Sequence, residues 1–152
     1  MEREKLRIDN GIREIEVNDN GDCICIPIDD NAFFERARNF LDWIEKQKDA
    51  LEKELENRPK QNHETTETGI ADIDVIEMQT RLSEEICKEL DKLLGEGCCR
   101  KVFIGIQSPS IVLIFDFLDQ LIPILQKFAG ERNEKINYKY SKNRKGANTK
   151  KR

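Results

Sequence analysis

Residues 108–130 read SPSIVLIFDFLDQLIPILQKFAG, and whether they form a helix or a strand decides the fold. Ile111, Val112, Leu113, Ile114, Phe115, Phe117, Leu118, Leu121, Ile122, Ile124, Leu125 and Phe128 leave little polar face. The β-branched residues at 111, 112 and 114 allow a strand start as a competing reading. A helix over 109–129 is preferred, with Ser108 as a cap and Pro109 in the first turn. A helix that is apolar nearly all round is buried or waits for a partner. Pro123 lies inside it, removes one backbone hydrogen bond and should kink it.

Upstream lies GEGCCRKVFIG, residues 95–105. Gly95 sits where glycine ends a helix, and the segment reads as a turn into the apolar element. Cys98 and Cys99 take small packing positions there, with Val102, Phe103 and Ile104 as anchors. The helix that ends at this turn covers about 70–94, with Ile73, Ile76, Ile86, Leu90, Leu93 and Leu94 on its apolar face. Residues 58–69, RPKQNHETTETG, are polar and aperiodic and read as a loop.

Further back, Phe34, Ala37, Leu41, Ile44, Leu51 and Leu55 recur at heptad-like spacings over about 31–57, and Phe33 and Phe40 widen the stripe. Asp29-Asp30-Asn31 offers the cap, and Arg58-Pro59 ends this helix. The N-terminal segment LRIDNGIREIEVNDNGDCICIPIDD holds two turn clusters, Asn10-Gly11 and Asn18 to Asp22. Alternation of Ile24, Ile26 and Ile28 with Cys23, Cys25 and Pro27 predicts an antiparallel hairpin or meander over 5–28 with one apolar face. A sheet this small must pack on helices or a partner.

The predicted fold is therefore mostly α with a small N-terminal antiparallel β-hairpin or meander (α+β), three main helices and a disordered basic C-terminal tail. Residues 1–130 form one domain and 131–152 the tail. The 152 residues carry 37% charged and 38% hydrophobic residues, so the core is small. The net charge of −4 conceals an asymmetry: nine Lys/Arg against two Asp/Glu after residue 130 make +7, which leaves −11 for the rest. No apolar run approaches the roughly 20 residues needed to span a bilayer, and MEREKLRIDN lacks the apolar centre of a signal peptide. Both points lead to an expectation of no membrane contact and a cytoplasmic protein with reduced thiols.

The cysteines give no clear site. Zinc knuckles use C-x2-C spacing so that both sulfurs meet one ion, whereas here the spacings are C-x-C and C-C. A thioredoxin-like pair needs C-x-x-C. A catalytic thiol wants a histidine partner, and the sole histidine, His63, lies in the polar loop. Small buried hydrophobes are the plainer role. The glycines match neither G-x-G-x-x-G nor a P-loop, and no carboxylate pair stands out for acid–base work. No catalytic, cofactor or metal residue is assigned. The basic tail interleaves Tyr138 and Tyr140 with Lys139, Arg144 and Lys145, a pattern that suits nucleic acid. The acidic body opposes that, so nucleic acid is the alternative and not the first reading. The apolar surface of 109–129 exceeds what a small helical pair covers, which points to self-association or capture of an apolar partner helix.

The order of parts — LRIDNGIREIEV, then DDNAFFERARNF, LDKLLGEGCCRKVFIG, SPSIVLIFDFLDQLIPIL and the closing YSKNRKGANTKKR — resembles that of small tail assembly chaperones of tailed phages and prophages of Gram-positive bacteria. The Leu-Gly-Glu-Gly turn with Lys101, Phe103 and Gly105, and the basic Y-S-x-N-R ending, carry the resemblance. It implies a non-enzymatic protein that binds the tape measure protein, keeps it soluble and helps recruit tail tube subunits. Such proteins act in the host cytoplasm and are absent from the mature virion. In many such families a ribosomal frameshift also makes a longer product. The apolar positions expected to meet the client are Phe34, Leu41, Ile44, Phe115, Leu118 and Ile122.

Overall fold

A computed structural model of the chain describes residues 2–57 and 73–150, with side chains described over 2–57 and 75–140. Among the described residues, two strands and four helices follow in order: β1 (Ile12–Glu16), β2 (Cys23–Pro27), α1 (Asn31–Glu56), α2 (Ile73–Leu94), α3 (Cys98–Val102) and α4 (Ile111–Lys150). The fold is mostly helical with a two-stranded antiparallel hairpin at the N-terminus. Residues 111–130 are thus helix, not strand. The loop expected at 58–69, including His63, lies outside the described residues.

The strands pair with Ile15 opposite Ile24 and Arg13 opposite Ile26. Opposed residues share a face, so alternation turns Ile24 and Ile26 into the core and leaves Cys23, Cys25, Glu14 and Glu16 on the outer face. The hairpin turn is the Asn18 to Asp22 cluster. Asn18 Oδ1 accepts from the N–H of Asn20 at 2.9 Å and of Asp22 at 3.2 Å. Its Nδ2 donates to the Lys101 carbonyl at 2.8 Å, which pins the turn to α3.

Asn10-Gly11 does not form the hairpin turn expected of it. Gly11 adopts φ 66° and donates its N–H to Asp9 Oδ1 at 3.0 Å. Its carbonyl accepts from Ile28 N–H at 3.3 Å. A Cβ at this position would push the Asp29 carboxylate aside, and the positive φ itself favours glycine. The residue docks the chain start beside the exit of β2, and residues 2–10 are in no strand.

Asp30 caps α1, accepting from Ala32 N–H at 3.0 Å. The innermost line of α1 is Phe33, Ala37, Phe40 and Ile44. Phe34, Leu41 and Leu51 flank it half-buried, and Leu55 is exposed. The expected stripe is thus rotated by about one residue, because the two aromatics at 33 and 40 carry more apolar surface inward than the 34/41 line. In α2 the deep line is Val75, Ile86, Leu90, Leu93 and Leu94. Ile76, expected inside, is exposed next to Val75.

The turn after α2 contains a further short helix, α3, entered through Gly97 at φ 83°. Gly95 ends α2 at φ 113°, and its N–H reaches the Asp91 carbonyl at 3.0 Å. Cys98 and Phe103 are buried there, but Ile104, expected as an anchor, is 51% exposed. The start of α4 also differs from expectation. Ser110, not Ser108, caps it through Oγ, which accepts from Leu113 N–H at 3.2 Å. Pro109 lies before the helix, and its carbonyl accepts from the buried Ser83 hydroxyl at 2.6 Å.

Six buried residues run down α4: Ile111, Ile114, Leu118, Leu121, Leu125 and Phe128. Their alternating three- and four-residue steps trace one face of the helix. Pro123 is on the exposed side, where the carbonyl it frees is open to water. The expected end at 129 is passed. The helix continues to Lys150, so the segment read as a tail has helical backbone. Its first turns are held by side chains: Glu131 meets Arg13 at 3.7 Å, Lys135 meets Asp29 at 3.0 Å, and Arg132 donates to Asn31 Oδ1. Among the described residues, no helix is long and apolar enough to cross a membrane.

Candidate functional site

Two cation–ring contacts fix how α1 and α4 face each other. Lys48 Nζ lies 5.8 Å from the centre of the Phe115 ring. The Arg132 guanidinium lies 5.4 Å from that of Phe34. The far part of α1 therefore meets the start of α4, and the start of α1 meets a later part of α4, so the helices run antiparallel. The same register brings Leu41 level with Ile122. Positions 34, 41 and 48 of α1, and 115 and 122 of α4, repeat every seven residues, which keeps each set on one line of its helix.

This produces a seam. Phe34, Leu41, Phe115 and Ile122 are half-buried and pack on the core with one side toward solvent. Phe34 is braced by Phe33, with ring centres 5.2 Å apart in an edge-to-face arrangement. Ile44 at 6% and Leu118 at 1% exposure lie beneath, in the core. Of the six expected contact residues, Phe34, Leu41, Phe115 and Ile122 are half-buried against the core, whereas Ile44 and Leu118 are buried within it. An apolar strip flanked by cations at both ends is suited to an amphipathic helix whose carboxylates border its apolar stripe.

A second concavity lies between the hairpin and α4. It is a groove of about 470 Å³, whose walls include Ile15, Glu16, Val17, Phe103, Phe117 and Leu121. Phe103 and Phe117 stack edge-to-face in it with centres 5.8 Å apart. Sequence reading missed this groove. The available signal was the three- and four-residue spacing of Leu113, Phe117, Gln120 and Ile124, a second line on α4 offset from the buried one.

The sulfurs fall into two environments. Cys25 is exposed and Cys23 half-buried, so the C-x-C pair does not share the buried role expected of it. Partial burial, then the carboxylates of Glu14 and Glu16, push the Cys23 thiol up. Cys98 is buried, and burial followed by the Asp91 carboxylate pushes its thiol up to about 12. Cys99 is held by its N–H to Asp91 Oδ1 at 3.0 Å, and its thiol reaches the Cys87 carbonyl at 3.6 Å. A side-chain hydrogen bond between the Cys99 and Cys87 thiols, then burial, push the Cys99 thiol up, and the same thiol–thiol bond pulls Cys87 down. Cys87, from α2, received no role in the sequence reading; its pairing with Cys99 depends on the chain folding back through α3. Among the described residues, no three His, Cys, Asp or Glu side chains group so as to hold a metal ion.

A protein-family model, described as a family of unknown function (DUF6673), matches residues 20–152. The chain belongs to this family. No curated protein and no solved structure matches it. The DUF6673 match opens inside the hairpin turn and takes in β2 and all four helices, so the seam lies wholly within it. β1 and the residues before it precede the matched span.

Proposed function

We propose that the chain is a tail assembly chaperone of tailed phages or prophages, acting in the host cytoplasm. It holds the tape measure protein in soluble form along the α1/α4 seam and helps recruit tail tube subunits. The observation that carries this reading is the seam itself: half-exposed apolar residues at heptad spacing on two antiparallel helices, with Lys48 and Arg132 over its ring faces. A long helical client offers a matching apolar stripe. The acidic body, −11 over residues 1–130, keeps a complex with such a client soluble through repulsion between complexes. The resemblance in the order of parts supplies the identity of the client.

Co-expression with the tape measure protein encoded beside it tests this. The client is expected in the soluble fraction only when this chain is present, and to elute with it. A client equally insoluble with and without the chain refutes the reading.

A second reading has one observation in its favour. After Glu134 the described face of α4 is exposed and basic, and Tyr138 and Tyr140 are 69% and 65% exposed. This is a surface for nucleic-acid backbone and stacked bases. It predicts binding that weakens steeply with salt and is lost when residues 131–152 are removed.

A further inference from the structure

We infer that residues 3–8 form an exchanging arm that adds a strand to the free edge of β1 in a second copy of this chain. The arm is unusual for a soluble surface: Leu6 is 93% exposed and Ile8 89% exposed. As a strand, the segment would project Leu6 and Ile8 to one side and Arg3, Lys5 and Arg7 to the other.

The acceptor is built in the same alternation. The sheet has two strands, so the outer edge of β1 has no strand partner among the described residues. The groove beside it runs under the core face of the hairpin, lined by Ile15, Glu16, Val17 and, from β2, Ile24. Val17, just past the strand, donates its N–H inward to the Asp22 carbonyl at 2.9 Å, so by alternation the N–H and C=O groups of Glu14 and Glu16 point to the outer edge. Across the groove stands the α4 wall of Leu113, Phe117 and Leu121. A strand added here places Leu6 and Ile8 on the side of Ile15 and Val17, against that wall. Arg3, Lys5 and Arg7 then fall on the outer face, beside Glu14 and Glu16, both exposed. The volume of about 470 Å³ accommodates two aliphatic side chains with room for their backbone.

The arm does not reach its own groove in this conformation. It leaves the body at Gly11, beside Ile28, whereas the groove lies at the other end of β1, by Val17. Folding back would require a reversal at Asn10-Gly11 and loss of the Ile28 to Gly11 hydrogen bond. A second copy supplies the same arm without that loss. The inference stands apart from the client-binding proposal: a monomer that still solubilises its client overturns this inference and leaves that one intact.

Light scattering on the full chain, chromatographed at micromolar concentrations, provides the test. The wild-type chain is expected at the mass of two chains. The variant L6D/I8D is expected at the mass of one, with an unchanged helical circular dichroism signal. Reversing E14K/E16K should raise the dimer dissociation constant about tenfold or more through like-charge contacts with the arm. Adding K5E/R7E to the same chain should restore it. A wild-type chain at the mass of one overturns the inference. So does an L6D/I8D chain that remains paired, or an E14K/E16K chain that pairs as tightly as wild type, as expected if another surface or another occupant uses the groove.

Discussion

The two halves of α4 are one helix held in two different ways. From Ile111 to Phe128 it is fixed by six buried apolar side chains. From Glu131 onward it is attached by Glu131, Arg132 and Lys135, whose partners Arg13, Asn31 and Asp29 lie at the hairpin and the start of α1. Apolar burial is not weakened by charge screening, whereas exposed ion pairs are weak and screened. The first half therefore belongs to the core, and the second is an extension whose contacts break separately.

The largest effect separating the halves is expected in the core. Leu118→Ala removes a side chain 1% exposed and should destabilise the chain by about 2–5 kcal/mol, read as a lower urea midpoint. The same substitution at Ile136, 41% exposed in the second half, should cost less than about 0.5 kcal/mol.

A pH series probes the core side of the contrast. Cys98 is pushed up to about 12 from 9.0 by burial. The folded state thus holds the thiol proton more tightly than the unfolded state does. Its contribution is complete below about pH 9 and is lost as pH rises from there toward 12. Urea unfolding of wild type should weaken across that window, and Cys98→Ala should flatten the fall.

Smaller still is the junction. Gly130 lies within the helix, and an added Cβ would meet nothing within 4 Å. Gly130→Ala should stabilise the helix by about 0.5–1 kcal/mol and couple the halves more firmly. Slower amide exchange over residues 131–140 would register that coupling. Least of all, Lys135→Ala should cost under about 1 kcal/mol, and the difference from wild type should disappear in high salt.

The halves also differed in how far they could be read beforehand. Apolar periodicity marks an element that must be buried, so 111–128, α1 and the end of α2 at Gly95 were legible. Residues 131–140 are charged and carry no periodic apolar signal. Their helical state depends on continuation from Phe128 and on partners about a hundred positions away, which local pattern does not contain. The same holds within the site. Phe34, Leu41, Phe115 and Ile122 were visible as heptad positions, but which of them stay half-exposed depends on the rotation of α1 and α4. That rotation put Ile44 and Leu118 underneath. The Asn10-Gly11 dipeptide has the composition of a hairpin turn, yet the cluster from Asn18 to Asp22 forms the turn because Asn18 also ties it to α3 through the Lys101 carbonyl. The groove beside β1 arises from three separated segments, and no single stretch announces it.

The contrast between the halves of α4 also gives the most direct test of the function. If the client lies along the seam, Ile122→Glu in the first half should weaken capture of the tape measure protein by about tenfold or more. Lys139→Glu in the second half should leave it within about twofold. Both affinities are to be measured on variants whose helical signal matches wild type. Undiminished capture by Ile122→Glu, with or without a loss at Lys139→Glu, would contradict the account.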